Sequence, residues 1–129
     1  MEDSSNIFAY RKLNVYHKAK EWVKEVYSLI KKFPDVERYA LADQVRRASF
    51  SVTSNIAEGT SRSSRKEESH FIEMSFGSLM EVQSQLEIAE TLGYLSQSDI
   101  DYIDEKTIVI AKMLSGLKSS LLKNNQNGK

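Results

Sequence analysis

Arg46, Arg47, Arg62, Arg65 and Lys66 form the densest set of cations in the chain. Arginine forks suit phosphate oxygens, so the chemistry this set offers is a phosphate-binding rim. Two readings stand side by side. Arg46 and Arg47 lie within one helical segment, where pairing with carboxylates of the third helix, such as Glu73 or Glu81, within or between subunits, is the ordinary fate of such residues. Arg62, Arg65 and Lys66 fall in a polar stretch, where a solvated loop is the default. No aromatic residue sits among the five to stack a base, which counts against single-strand recognition.

Other residues offer less. Asn55 is a poor helix former set inside a helical pattern and so needs a reason. With Glu58 it invites a catalytic reading. The better account is a hydrogen-bond network with Ser51 or with the Gly77-Ser78 step, which would set helix register at some cost in stability. Glu67-x-x-His70 has the spacing of half a carboxylate-bridged di-iron site. The second half is missing, because His17 has Asn14 three residues before it. Glu67 serves better as a helix cap. Tyr10, Tyr16, Tyr27 and Tyr39 have rings that can stack on bases, but core or interface packing is their usual use. The sequence shows no Gly-rich phosphate loop, zinc spacing or nucleophile elbow. No catalytic residue, metal, cofactor or small-molecule substrate is therefore expected.

Helices must position these groups. Val15, Ala19, Trp22, Val26, Leu29 and Phe33 step by three and four, and Tyr16, Val23, Tyr27 and Ile30 form a second stripe beside them. This predicts a first helix over about residues 10–32, apolar on a face wide enough for more than one neighbour. Pro34 ends it. A second helix is expected from residue 35 or 36 to residue 58, with Leu41, Val45, Ala48, Val52 and Ile56 inward, Phe50 off that face, and Gly59 as a left-handed terminator. Gln44, Arg46, Arg47, Ser51, Asn55 and Glu58 put polar side chains on neighbouring strips of the same helix.

After a polar loop over residues 60–65, Ser64 and Glu67 have capping-box spacing. A third helix should run to about residue 92, with Phe71, Ser75, Leu79, Val82, Leu86 and Ala89 inward and Gly93 as its stop. Ser96 or Ser98 can cap a fourth helix, whose stripe is Ile100, Ile103, Thr107, Ile110, Leu114, Leu117 and Leu121. No segment alternates like a strand. The expected fold is all-α, an antiparallel up-down-up-down four-helix bundle over residues 10–122. Residues 1–9 are expected to be flexible and residues 123–129 to form a disordered tail.

The 129 residues suit one domain. The chain has no cysteine, which excludes disulfides and thiolate metal sites and agrees with a reducing, cytoplasmic setting. No signal-peptide pattern is present, and no apolar run approaches the roughly 20 residues of a membrane span. Formal charge is zero but unevenly spread. Residues 1–66 carry a net +5, residues 67–105 a net −10, and residues 106–129 a net +5. Opposite signs meet either across neighbouring helices of one chain or between copies. Separated, self-complementary signs suit a head-to-tail ring.

The elements Pro34-x-x-Glu37, Leu41-x-x-Gln44-x-Arg46-Arg47-Ala48, Ser51, Asn55-Ile56-Ala57-Glu58-Gly59, Arg62 and Gly77-Ser78-x-x-Glu81 resemble those of the 23S rRNA intervening sequence proteins, also called S23 ribosomal proteins. The similarity covers about residues 10–122. It implies a bacterial homopentameric ring of antiparallel bundles, some members being encoded within insertions in 23S rRNA genes. It also implies kinship with the accessory proteins of diversity-generating retroelements, whose basic pentamers engage nucleic acid and a reverse transcriptase. This chain departs from that branch, since its pI is near 6.7 and bulk charge will not concentrate it on RNA. The expectation is a non-enzymatic oligomeric scaffold or adaptor, its partners being itself and RNA or a nucleic-acid-processing protein. The alternatives are a protein-binding adaptor of a mobile element and, more remotely, a metal-binding bundle enzyme.

Overall fold

The structure, a computed structural model, describes residues 7–127. Four α-helices follow one another: α1 (Asn14–Ile30), α2 (Leu41–Gly59), α3 (Arg65–Thr91) and α4 (Gln97–Asn127). Short 3-10 turns at Ala9–Lys12 and Asp35–Glu37 precede α1 and α2. The expected flexible N-terminus lies outside the described residues as far as residue 6. Helix α4 continues past residue 122 to Asn127, and residues 128–129 of the expected tail lie outside.

Each helix packs on the next, and α1 also packs on α4. Cross-links show that neighbours run antiparallel. Trp22 Nε1 donates to Thr107 Oγ1 at 3.0 Å while Lys32 meets Asp99 at 2.7 Å. Likewise Ser78 meets Ser51, and Ser75 Oγ donates to the Val52 carbonyl at 2.7 Å. The fold is thus an all-α four-helix bundle. No helix among the described residues is long and apolar enough to cross a membrane.

The core is built from the predicted stripes. Trp22, Val26, Val45, Val52, Ile56, Leu79, Val82, Leu86, Ile103, Ile110 and Leu114 are buried. The second stripe of α1 is half-buried at Tyr16, Val23 and Tyr27 and joins the core's edge. Phe71 and Leu117, expected inside, are only half-buried, and Ile72 takes the inner place.

The helix ends follow local chemistry, with two departures from expectation. Pro34 holds extended backbone and a 3-10 turn follows, so α2 starts at Leu41, about one and a half turns later than its sequence suggests. Gly59 is not a left-handed terminator. It is the last residue of α2, is buried, and a Cβ there would lie 3.1 Å from Phe71 Cβ. It is a point of close helix approach, and among the described residues only Gly93 has positive φ, at 86°. There Tyr94 N–H donates to the Ala89 carbonyl and Gly93 N–H to that of Glu90, the two bonds of a Schellman end. Ser64 Oγ accepts from Glu67 N–H to open α3. At α4, Ser96 and Asp99 cap each other reciprocally, at 3.1 and 2.9 Å.

Candidate functional site

The five cations do not form one rim. Arg46 and Arg47 sit near the start of α2 and Arg62 lies beyond its end, about 20 Å away at 1.5 Å per residue. Nor do Arg46 and Arg47 pair with Glu73 or Glu81 within the chain. Arg47 Nε donates to Asp43 Oδ2 at 2.8 Å, four residues before it. Arg46 donates to the Arg38 carbonyl at 2.8 Å and stands 3.7 Å from Asp43. Glu73 is taken by Lys118 of α4 at 3.1 Å, and Glu81 accepts from Gln85 at 3.3 Å. The reason is reach: a carboxylate one turn back on the same helix is nearer than one on α3.

At the other end, Arg62 pairs with Glu58, again one turn back, and lays its guanidinium 4.4 Å from the Phe71 ring centroid. Arg65 and Lys66, in the first turn of α3, are exposed and make no ion pair among the described residues. Burial holds the Glu68 carboxyl above the usual carboxylate range, against the pull of Arg65. His70 meets the edge of Phe71, the ring centroids 6.0 Å apart. An open groove of about 550 Å³ lies here, with Lys66, Lys118 and Leu122 also on its walls. So the fold does bring an aromatic pair to the basic loop. The periodicity hid it, because Phe71 looks like a core residue in the α3 stripe. The spacing of Lys66 and His70, one turn apart, was the available signal.

The polar strip of α2 faces α3. Asn55 Nδ2 donates to the Ser51 carbonyl at 2.8 Å and to Ser51 Oγ at 2.9 Å, and Ser78 Oγ of α3 donates to Ser51 Oγ at 2.8 Å. These three half-buried residues tie the α2–α3 seam at its surface. Gln44, Gly77 and Glu81 are exposed along the same two helices. Beside them Gln85, missed in the sequence, is buried with its Oε1 unpartnered. A network this close to the surface holds helices in register. Among the described residues, no three His, Cys, Asp or Glu side chains converge as metal ligands.

Charge is poorly neutralised inside the chain. Of the five ion pairs among the described residues, only Lys32–Asp99 and Lys118–Glu73 join segments distant in sequence. Asp99 is held below the usual range by Lys32 and by the Ser96 N–H. Glu81, Glu87 and Glu90 of α3 and Asp101, Asp104 and Glu105 of α4 meet no cation among the described residues, and Lys20 and Lys24 of α1 and Lys31 just past its end meet no carboxylate there. Apolar side chains stand among both sets. Ile88 and Leu92 on α3 and Tyr102 and Ile108 on α4 are at least half exposed, as is Phe50 on α2, which packs on Tyr27 of α1.

The model of the family described as 23S rRNA-intervening sequence protein matches residues 11–116. Among solved structures, the chain is similar to a protein of unknown function from the S23 ribosomal protein family of Bacteroides thetaiotaomicron. The TM-score is 0.73 at 20% identity, covering 81% of this chain and 97% of that one, a likeness of fold. No curated protein matches.

Proposed function

Given that the chain belongs to the 23S rRNA-intervening sequence protein family, we propose that it is a non-enzymatic scaffold whose copies close head to tail into a ring, five to the ring, and hold RNA or a ribonucleoprotein at the end of the bundle that carries Arg62, Arg65 and Lys66. One observation carries the assembly. Glu81, Glu87 and Glu90 of α3, without cations among the described residues, share their stretch of chain with exposed Ile88 and Leu92, while Lys20, Lys24 and Lys31, without carboxylates there, share theirs with Tyr27, on which exposed Phe50 packs. Two unlike faces, each apolar with the opposite charge, are what a heterologous contact needs. The α2–α3 seam then sits near that contact, and its Ser51–Asn55–Ser78 bonds keep the face in register.

A second reading, a protein adaptor without nucleic acid, is favoured by the neutral total charge. Native mass spectrometry of the purified protein separates the outcomes. The ring gives a particle five times the 14.7 kDa chain. A stable single-chain particle at micromolar concentration refutes it. Copurifying RNA supports the nucleic-acid half, and a protein partner alone supports the adaptor.

A further inference from the structure

The groove at the start of α3 has features that a solvated basic loop lacks. Its aromatic floor is layered: the Arg62 guanidinium stands 4.4 Å from the Phe71 ring centroid, and Glu58 pairs with that guanidinium. An arginine plane so held is itself a stacking surface for a base. Lys66 on α3 and Lys118 on α4 stand on the groove walls with His70 and Leu122. Two carboxylates, Glu67 and Glu73, also line it. Glu73 is neutralised by Lys118, and Glu67 accepts from Ser63 at 3.3 Å beside the positive end of α3. Among the described residues, Lys66 is the cation of the groove that makes no ion pair. The volume falls in the range of about 300–1,000 Å³ usual for small-molecule sites, far too small for a duplex.

We propose that this groove holds one unpaired nucleotide of a single strand, its base stacked on the Arg62–Phe71 layer and its phosphate on Lys66. An acidic peptide would use the cations but would leave the stacked layer without a partner, so the aromatic floor favours a base. The inference rests on the nucleic-acid half of the proposal above and is independent of the ring.

The test is fluorescence anisotropy of the full chain with a labelled ten-nucleotide oligouridine at about 50 mM salt, where electrostatic binding is strong. Phe71→Leu should weaken binding about tenfold, the loss of one stacked base. Lys66→Ala, at an exposed position that cannot disturb folding, should lower the slope of log affinity against log salt by about 0.7, one phosphate contact on a single strand. Lys106→Ala, about 18 Å along α4 from Lys118, should change nothing. A duplex of the same length and a polyglutamate peptide should compete poorly. Binding that ignores both Phe71→Leu and Lys66→Ala overturns the groove but leaves an RNA association standing. Equal competition by polyglutamate overturns the nucleotide. No binding at low salt overturns the groove together with the RNA half of the scaffold reading, whatever the ring does.

Discussion

Gly77→Ala should make the folded chain more stable and its assembly worse, and the two effects can be read apart. Gly77 lies in the middle of α3, and a Cβ built on it meets nothing within 4 Å. Its backbone is helical, so alanine fits without strain. The methyl buries nothing in the chain and displaces nothing. What remains is the intrinsic penalty of glycine in a helix interior, about 1 kcal/mol relative to alanine. For a chain of this size that gain raises the melting temperature by about 4 °C. Gly116 in α4 is an internal control, since its Cβ also meets nothing. Gly59 is the opposite case, for a Cβ there crowds Phe71 at 3.1 Å and the Glu68 carbonyl at 3.4 Å, and Gly59→Ala should show no comparable gain. Urea unfolding at dilutions where mass spectrometry shows one chain measures all three, with unchanged m-values certifying that only stability moved. Gly77 is flanked by exposed Met74 and Met80. If a helix of another copy approaches there, Gly77→Ala lowers the oligomer fraction, whereas Gly116→Ala leaves it alone. A lowered midpoint for Gly77→Ala with a raised one for Gly116→Ala would refute the local argument; a full complement of rings would refute the close approach.

Two further perturbations probe the core and the cap. Thr107→Val keeps the shape but strands the buried Trp22 N–H, which donates to Thr107 at 3.0 Å; the expected cost is about 1–3 kcal/mol, and it should vanish in a Trp22→Phe background, so an equal cost in both backgrounds refutes the bond's importance. Asp99 is held below the usual carboxylate range first by Lys32 and then by the Ser96 N–H, so its contribution is complete above the unfolded value of about 3.9 and is lost as pH falls through the lower folded value. Wild type should therefore exceed Asp99→Asn in urea midpoint at neutral pH and lose that lead on acidification below about pH 4; a gap that does not narrow with acid refutes the linkage.

The helices were legible because each carries a repeating signal. The stripe from Ile100 to Leu121 never slips, Gly93 and Tyr94 close α3 as its composition suggests, and Ser96 caps α4 through Asp99. The start of α2 was not legible. Asp35, Val36 and Glu37 have helical composition, but the extended Pro34 before them leaves the chain in a 3-10 turn until Leu41. Gly59 was misread because a helix-ending glycine and a close-packed one look alike in sequence; only the position of Phe71 tells them apart.

The candidate site was half legible for a related reason. Cations are visible in a sequence, whereas their partners are set by which helix face turns toward which. Arg46 and Arg47 find Asp43 on their own helix, and so within the chain they do not reach the carboxylates of α3. That local pairing is also what makes assembly plausible on physical grounds. Had the arginines of α2 reached Glu73 and Glu81, the acidic face would have been neutralised within one chain. Instead Glu81, Glu87 and Glu90 stand without cations beside Ile88 and Leu92. An apolar strip bearing unanswered charge gains from an oppositely charged face but is repelled by its own kind, which is the physical ground for the head-to-tail partner proposed above over a two-fold one.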